Sequence, residues 1–142
     1  MIKEAIILAA LAVSSPTVID GDTIRIAGVS VRLTDYDAPE LFSAKCPRER
    51  ALAMKARQEL GALLMLAEAG SLKMSYKLVP CATSNWGRLC AEATIDGKPL
   101  AADMIALKFA APYICQPGSC PKKVDWCRPA APSSPAWPSA VK

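Results

Sequence analysis

Histidine is absent from this chain of 142 residues. Its absence excludes Ser-His-Asp and Cys-His catalysis, zinc held by imidazole, and every mechanism in which imidazole carries a proton. Acid and base chemistry must therefore fall to carboxylates, lysines or metal-bound water.

The chain also lacks an apolar run of the roughly 20 residues needed to cross a bilayer, so no membrane span is expected. The apolar run Ala5 to Ala12 is much shorter, and Ala10-Leu11-Ala12 resembles a small-residue cleavage site. Residues 1–12 are therefore interpreted as a possible signal peptide. The alternative is a first strand or helix packed on the core.

A strong net charge is lacking as well. The balance of 17 basic against 13 acidic residues gives +4, which would not repel a polyanionic partner but does not identify one. With 52% hydrophobic residues, the chain can form one compact domain, assigned to residues 13–127. No protein partner is evident and we expect a monomer. The proline-rich residues 128–142 are expected to be a disordered tail.

Cysteine, in contrast, is plentiful and even in number, which predicts disulfides and a secreted or periplasmic protein. Three cysteines lie in the body and three in the C-terminal segment, so complete pairing needs at least one bridge between the two groups. Fifteen connectivities remain open. Zinc binding is the alternative, although close cysteine pairs and histidines are lacking. The candidates are Cys46, Cys81, Cys90, Cys115, Cys120 and Cys127.

Hydrophobic periodicity predicts an α+β fold that is mainly β. Residues 17–40 and 72–95 alternate as half-buried strands, the latter forming a hairpin before a tight turn at Asp96-Gly97. A helix is predicted from Pro47 to about Ala67, and a second from Leu100 to about Ala110. The apolar stripe of the first helix is Leu52, Ala56, Leu60 and Leu63.

Four carboxylates fall into two short strand-like segments where a core would favour apolar residues. They are Asp20, Asp22, Asp37 and Glu40. Carboxylates a few ångströms apart repel one another and would otherwise take up protons. The sequence therefore indicates a bound divalent cation.

Three separated motifs carry a family resemblance. These are Asp20-Gly21-Asp22-Thr23, then Arg32 five residues before Asp37-Ala38-Pro39-Glu40, then Asn85-Trp86-Gly87-Arg88. Over about Val18 to Tyr113 the chain resembles the thermonuclease, or staphylococcal nuclease-like, family. The resemblance implies a five-stranded OB-type barrel with two packed helices, and calcium-dependent hydrolysis of DNA and RNA with little sequence specificity.

The resemblance also assigns roles to single residues. It implies that Asp22 and Asp37 bind Ca²⁺ through their carboxylates and that Ala38 does so through its backbone carbonyl. Glu40 matches the general base for the attacking water. Arg32 and Arg88 match the arginines that bind the scissile phosphate, a task suited to the planar guanidinium.

Aromatic and basic residues could add contacts to nucleic acid. Trp86 and Tyr113 match positions at which family members carry aromatics beside the nucleotide, and stacking tolerates any base. The alternative for Trp86 is packing on the barrel. Lys45, Arg48 and Arg50 could steer a polyanion or could be solvated surface. The lysine-rich loop that follows the catalytic glutamate in well-known members is missing.

Each motif has a simpler alternative. Asp-Gly-Asp is often only a turn, Arg32 could pair with Asp35 or Glu40 on the surface, and Arg88 could be a solvated loop residue. For the whole chain, the alternatives are a non-catalytic OB-fold module that binds nucleic acid and a secreted calcium-binding protein. Preference for DNA or RNA stays open.

Overall fold

The computed structural model describes residues 15–82 and 87–129. The expectations for the possible signal peptide at 1–12, for Trp86 and for the tail beyond residue 129 lie outside the described residues.

The described residues form eight strands and two helices, which confirms a mixed α+β fold that is mainly strand. The predicted order of strands, helix, strands, helix is also confirmed, but an unpredicted strand follows the second helix. In chain order the elements are β1 (Thr17–Asp20), β2 (Thr23–Ile26), β3 (Val29–Leu33), β4 (Asp35–Asp37), α1 (Pro47–Glu68), β5 (Met74–Val79), β6 (Leu89–Ile95), β7 (Lys98–Pro99), α2 (Leu100–Ala106) and β8 (Ala111–Tyr113).

The larger sheet has the order β1-β2-β3-β6-β5, with β7 paired to β6. Its neighbouring strands are antiparallel except for β3 and β6, which run parallel. Strands β4 and β8 form a separate antiparallel pair. Over the described residues the sheet is not closed into a barrel, so the five-stranded OB-type barrel stays a prediction.

Two-residue turns fix the register of the sheet. Ala27 and Gly28 join β2 to β3 with φ of 51° and 78°, and Asp96 and Gly97 adopt φ of 50° and 81° at the predicted tight turn. Positive φ at both positions suits the twist of antiparallel strands. The resulting alternation buries one face of the sheet, including Ile24, Ile26, Val31 and Leu33.

Helix α1 begins after Cys46, with Pro47 in its first turn, and its end at Glu68 agrees with the prediction. Its buried face agrees with the predicted stripe at Ala56 and Leu60, and the half-buried Leu63 also packs against the core, whereas Leu52 does not belong to these core contacts. The buried positions are Glu49, Ala53, Ala56, Leu60 and Leu64. The small alanine side chains let the helix backbone approach the sheet closely. This close packing favours the helix face that carries them.

Helix α2 is shorter than predicted and ends at Ala106 rather than near Ala110. Lys108 adopts φ of 63°, a left-handed conformation that cannot continue a right-handed helix. Leu107 consequently stays largely exposed at 43%. None of the described helices is long and apolar enough to span a membrane.

All six cysteines are paired, which excludes the alternative of thiolate-bound zinc. Cys46–Cys127 joins the start of α1 to the C-terminal segment and so provides the expected bridge between body and segment. Cys81–Cys90 connects the two strands of the β5-β6 hairpin, and Cys115–Cys120 closes a small loop after β8.

Candidate active site

Arg32 is the centre of the candidate site. It lies on β3, the strand between β2 and β6, and its side chain is only 15% exposed. Its Nη1 atom is 3.0 Å from Asp22 Oδ2, and its Nη2 atom is 3.5 Å from Asp37 Oδ1. Arg32 therefore pairs with two predicted metal ligands, instead of the surface pairs with Asp35 or Glu40 considered above.

Backbone carbonyls hold the same guanidinium in place. Arg32 donates from Nη1 to the carbonyl of Leu33 at 2.8 Å and from Nη2 to the carbonyl of Tyr36 at 3.1 Å. Burial alone would lower the pKa of Arg32, but the carboxylates of Asp22 and Asp37 raise it above its ordinary value. The guanidinium therefore stays charged.

A sharp change of direction after β3 brings Asp37 to Arg32. Asp35 adopts φ of 77°, a left-handed conformation that aspartate tolerates better than most residues, and the chain there leaves the larger sheet for the β4-β8 pair. Tyr36 is buried, and its hydroxyl donates to the Gly21 carbonyl at 2.8 Å. This bond ties β4 to the segment that carries Asp22.

Asp22 is buried, and both of its oxygens accept hydrogen bonds. Oδ2 accepts the backbone N–H of Ala38 at 3.0 Å, and Oδ1 accepts the hydroxyl of Thr23 at 3.1 Å. These bonds join the two predicted motifs, since Asp22 belongs to the first and Ala38 to the second.

The carboxyl of Asp20 has a strongly raised pKa. Its Oδ1 accepts the backbone N–H of Asp22 at 3.1 Å. Burial, followed by repulsion from the Asp22 carboxylate, raises the pKa of Asp20 from 3.8 to about 7. Burial and Asp22 also raise the pKa of Asp37 and of Glu40. Negative charge is therefore in excess at this site.

Glu40 is held in position by Glu49, a buried acid on α1 that the sequence analysis missed. Glu49 accepts the backbone N–H of Glu40 at 3.0 Å with one oxygen and that of Lys45 at 2.9 Å with the other. A glutamate three residues after the helix-capping Cys46 was the available signal, because glutamate at that position commonly accepts backbone N–H groups near a helix start.

Lys123, from the C-terminal segment, is a second residue that the sequence analysis missed. Its Nζ atom is 3.4 Å from Asp37 Oδ1 and 3.8 Å from Glu40 Oε1. Burial lowers its pKa, but Asp37 and Glu40 outweigh that effect and raise the pKa above its ordinary value of 10.5. The sequence contains no signal for this contact.

A cavity of about 340 Å³ opens beside these charges. Arg32, Arg88, Tyr113 and Lys123 line it, so the two predicted phosphate-binding arginines border the same space. Arg88 lies immediately before β6 and two residues before Cys90, which is disulfide-bonded to Cys81. Tyr113 ends β8 and lies opposite Asp35 in the β4-β8 pair.

Most of the predicted site residues are thus brought together. Asp22, Asp37 and Arg32 are in direct contact, Glu40 joins them through Lys123, and Arg88 and Tyr113 face the adjoining cavity. Lys45, Arg48 and Arg50 are exposed. Of the residues predicted to contact nucleic acid, Trp86 lies outside the described part of the chain.

Asp22 and Asp37 offer the type of donor atom that calcium prefers. Asp22 and Asp37 both contact Arg32, and hard carboxylate oxygens are the ligands that Ca²⁺ prefers. Asp22, Asp37 and Glu40 contact two cations, Arg32 and Lys123, and the carboxyl of Asp20 lies close enough to Asp22 and Glu40 for mutual repulsion. Among residues 15–82 and 87–129, no three acidic or cysteine side chains form a group that could hold a metal ion by themselves.

Comparison with models of known protein families gave no match, and a search of curated proteins gave none either. Functional inference for this chain therefore depends on its residues and their geometry.

Proposed function

We propose that this protein is a calcium-dependent nuclease that hydrolyses phosphodiester bonds of DNA and RNA with little sequence specificity. The observation that carries the proposal is Arg32, which lies between Asp22 and Asp37 with its side chain 15% exposed and borders a cavity that Arg88 also lines. Carboxylates of the type that a hard cation prefers therefore adjoin a cavity with two arginines on its wall, and arginines of this kind can stabilise the charge that develops on a phosphodiester.

In the proposed reaction, Glu40 takes up a proton and the arginines stabilise the negative charge that develops on the phosphoryl oxygens. A water oxygen attacks phosphorus in line with the leaving oxygen, the bond from phosphorus to that oxygen breaks, and Glu40 accepts the proton of the attacking water while solvent water protonates the leaving oxygen. Burial and the Asp22 carboxylate raise the pKa of Glu40, which makes it a stronger base than an ordinary glutamate. Arg32 and Arg88 stabilise the phosphoryl oxygens, and neither can release its proton to them.

Calcium would be held by the carboxylates of Asp22 and Asp37 and by the Ala38 carbonyl, with waters and a substrate oxygen completing its coordination. When bound, it polarises the phosphate and neutralises charge that develops there. Tyr113, on the cavity wall, would flank the nucleotide, and stacking of this kind does not select one base.

Fold and location are part of the same proposal. The strand order with a parallel β3–β6 pair supports an OB-type barrel, a fold that is often only partly closed. Three disulfides are compatible with a secreted or periplasmic protein, in which such bridges persist. DNA and RNA are the proposed partners of a monomer.

Digestion of denatured DNA and of RNA, with calcium or with a chelator, tests the proposal. We expect cutting that needs calcium. Arg32→Ala and Glu40→Ala should each reduce kcat by about 100-fold or more, because each removes charge stabilisation or proton transfer in the transition state. The control is Glu59→Gln, which replaces an acid on α1 that takes no part in the proposed chemistry.

The alternatives predict different results. Calcium-independent binding of DNA without cutting would indicate a non-catalytic nucleic-acid-binding module instead. Calcium binding without any affinity for nucleic acid would contradict both readings and indicate a calcium-binding protein. Unchanged cutting by Glu40→Ala would refute the role assigned to Glu40.

A further inference from the structure

We propose that Lys123 is a third phosphate-binding cation of the site, supplied by the C-terminal segment and acting beside Arg32 and Arg88. The inference rests on the proposed nuclease function, because it names a substrate contact within the same site. Nothing in the motif resemblance includes Lys123, which lies beyond the region that the resemblance covers.

The first argument is the position of the Lys123 ammonium between the acids and the cavity. Its distances of 3.4 Å to Asp37 and 3.8 Å to Glu40 describe ion pairs rather than two short hydrogen bonds. An ammonium has three N–H donors, so two acid partners leave at least one for another acceptor. Because Lys123 also lines the cavity, that acceptor can be a substrate oxygen.

The second argument is that the backbone near Lys123 is fixed while its side chain stays accessible. Cys120 is bridged to Cys115, and Cys127 is bridged to Cys46 at the start of α1. Trp126 is buried beside Cys127. The Lys123 side chain itself is 53% exposed, so its flexible stem can bring the charge to a bound phosphate.

The third argument is the set of side chains that surround the Lys123 ammonium in the cavity. Its Nζ atom lies 5.6 Å from the centre of the Tyr113 ring, on the wall where we place the nucleotide. Arg32 and Arg88 line the same space. The cavity of about 340 Å³ is also lined by the acids Asp35 and Glu92, so Lys123 is the cation that leaves its lining with an excess of positive charge for a phosphate.

Steady-state cleavage of denatured DNA in calcium tests the inference with a matched pair of lysines. Lys122 is exposed and lies outside the residues that line the cavity. Lys123→Ala and Lys122→Ala therefore change the net charge equally at neighbouring positions. We expect Lys123→Ala to raise KM about tenfold, and Lys122→Ala to change KM by less than about twofold.

Salt dependence and a conservative variant add two further measurements. Loss of one phosphate contact should reduce the slope of log(kcat/KM) against log[KCl] by about 0.7 for single-stranded DNA, while Lys123→Arg should retain the wild-type slope. Equal effects of the two alanine variants would refute a specific contact. A rise in kcat/KM for Lys123→Ala would also refute it, since Lys123 would then obstruct the acids.

Failure of the inference is distinguishable from failure of the proposed function. If wild-type protein cuts DNA with calcium and Lys123→Ala leaves KM and the salt slope unchanged, Lys123 is not a substrate contact but the nuclease assignment stands. If wild-type protein neither cuts nor binds denatured DNA, both proposals are wrong.

Discussion

At the scale of single residues, the site combines charges that would each be unfavourable if buried alone. Arg32 is balanced by Asp22 and Asp37 and by three backbone carbonyls, so its burial does not leave an unpaired charge. Asp20 is different, because its neighbour is another acid and its pKa is raised to about 7. Its charge therefore opposes folding.

This imbalance gives a prediction about pH. Between about pH 4 and 7 the folded protein keeps a proton on Asp20 that the unfolded chain releases, so the free energy of unfolding should fall as pH rises through this range. Asp20→Asn keeps the acceptor oxygen for the Asp22 N–H and removes the titration. We expect its stability relative to wild type to increase by on the order of 2 kcal/mol from pH 4 to pH 8.

Urea unfolding in the presence of a chelator at several pH values measures this difference. Glu59→Gln is the control, because it also replaces one acid by its amide, but an acid on α1 that is not one of the site acids. A pH-independent difference between Asp20→Asn and wild type would show that Asp20 does not carry the raised pKa.

At the scale of elements, the strands and helices follow from local patterns, whereas the contact between α1 and the sheet does not. Alternation predicts the strands up to β6 and the tight turns, but not the short strands β7 and β8. The predicted stripe of α1 is right at Ala56, Leu60 and Leu63, which belong to the core or pack against it, and wrong only at Leu52. Ala53 is buried on that face instead, because packing of a helix on a sheet depends on how closely the backbones approach, which helical periodicity alone does not reveal.

Gly21 lies opposite Ala56 of α1 in this close contact. Its lack of a side chain gives a second prediction. A Cβ atom at Gly21 would lie 2.7 Å from the Cβ atoms of both Ala38 and Ala56. Neither alanine side chain can rotate away, so Gly21→Ala should destabilise the protein by about 1–3 kcal/mol and displace Asp22. Nuclease activity should fall with it.

Gly61→Ala provides a matched control for urea unfolding of Gly21→Ala. The nearest atom to a Cβ at Gly61 is Val18 Cγ2 at 3.9 Å, an ordinary contact, and Gly61 lies inside α1. Alanine there should increase stability by roughly 0.5–1 kcal/mol through helix propensity. Equal stability of the two variants would contradict the close approach at Gly21.

At the scale of the whole molecule, the site depends on a contact between distant parts of the chain. The acids and arginines could be predicted because they stand in short motifs in which charged residues are concentrated. Lys123 and Glu49 could not, since their contacts arise only after the chain has folded. A disulfide between Cys46 and Cys127 was one of many open pairings, and sequence spacing contains no information that selects it.

The last prediction concerns that bridge. Cys46–Cys127 spans 81 residues, against 9 for Cys81–Cys90, so the chain-entropy model assigns it about 2 kcal/mol more stability. Cys46→Ser with Cys127→Ser should therefore lower the free energy of unfolding, measured in urea, by about 2–5 kcal/mol. It should also raise KM for denatured DNA as Lys123→Ala does, because the bridge fixes the segment that carries Lys123. Replacing Cys81 and Cys90 should cost less stability, and an unchanged KM in the first variant would show that the bridge does not position Lys123.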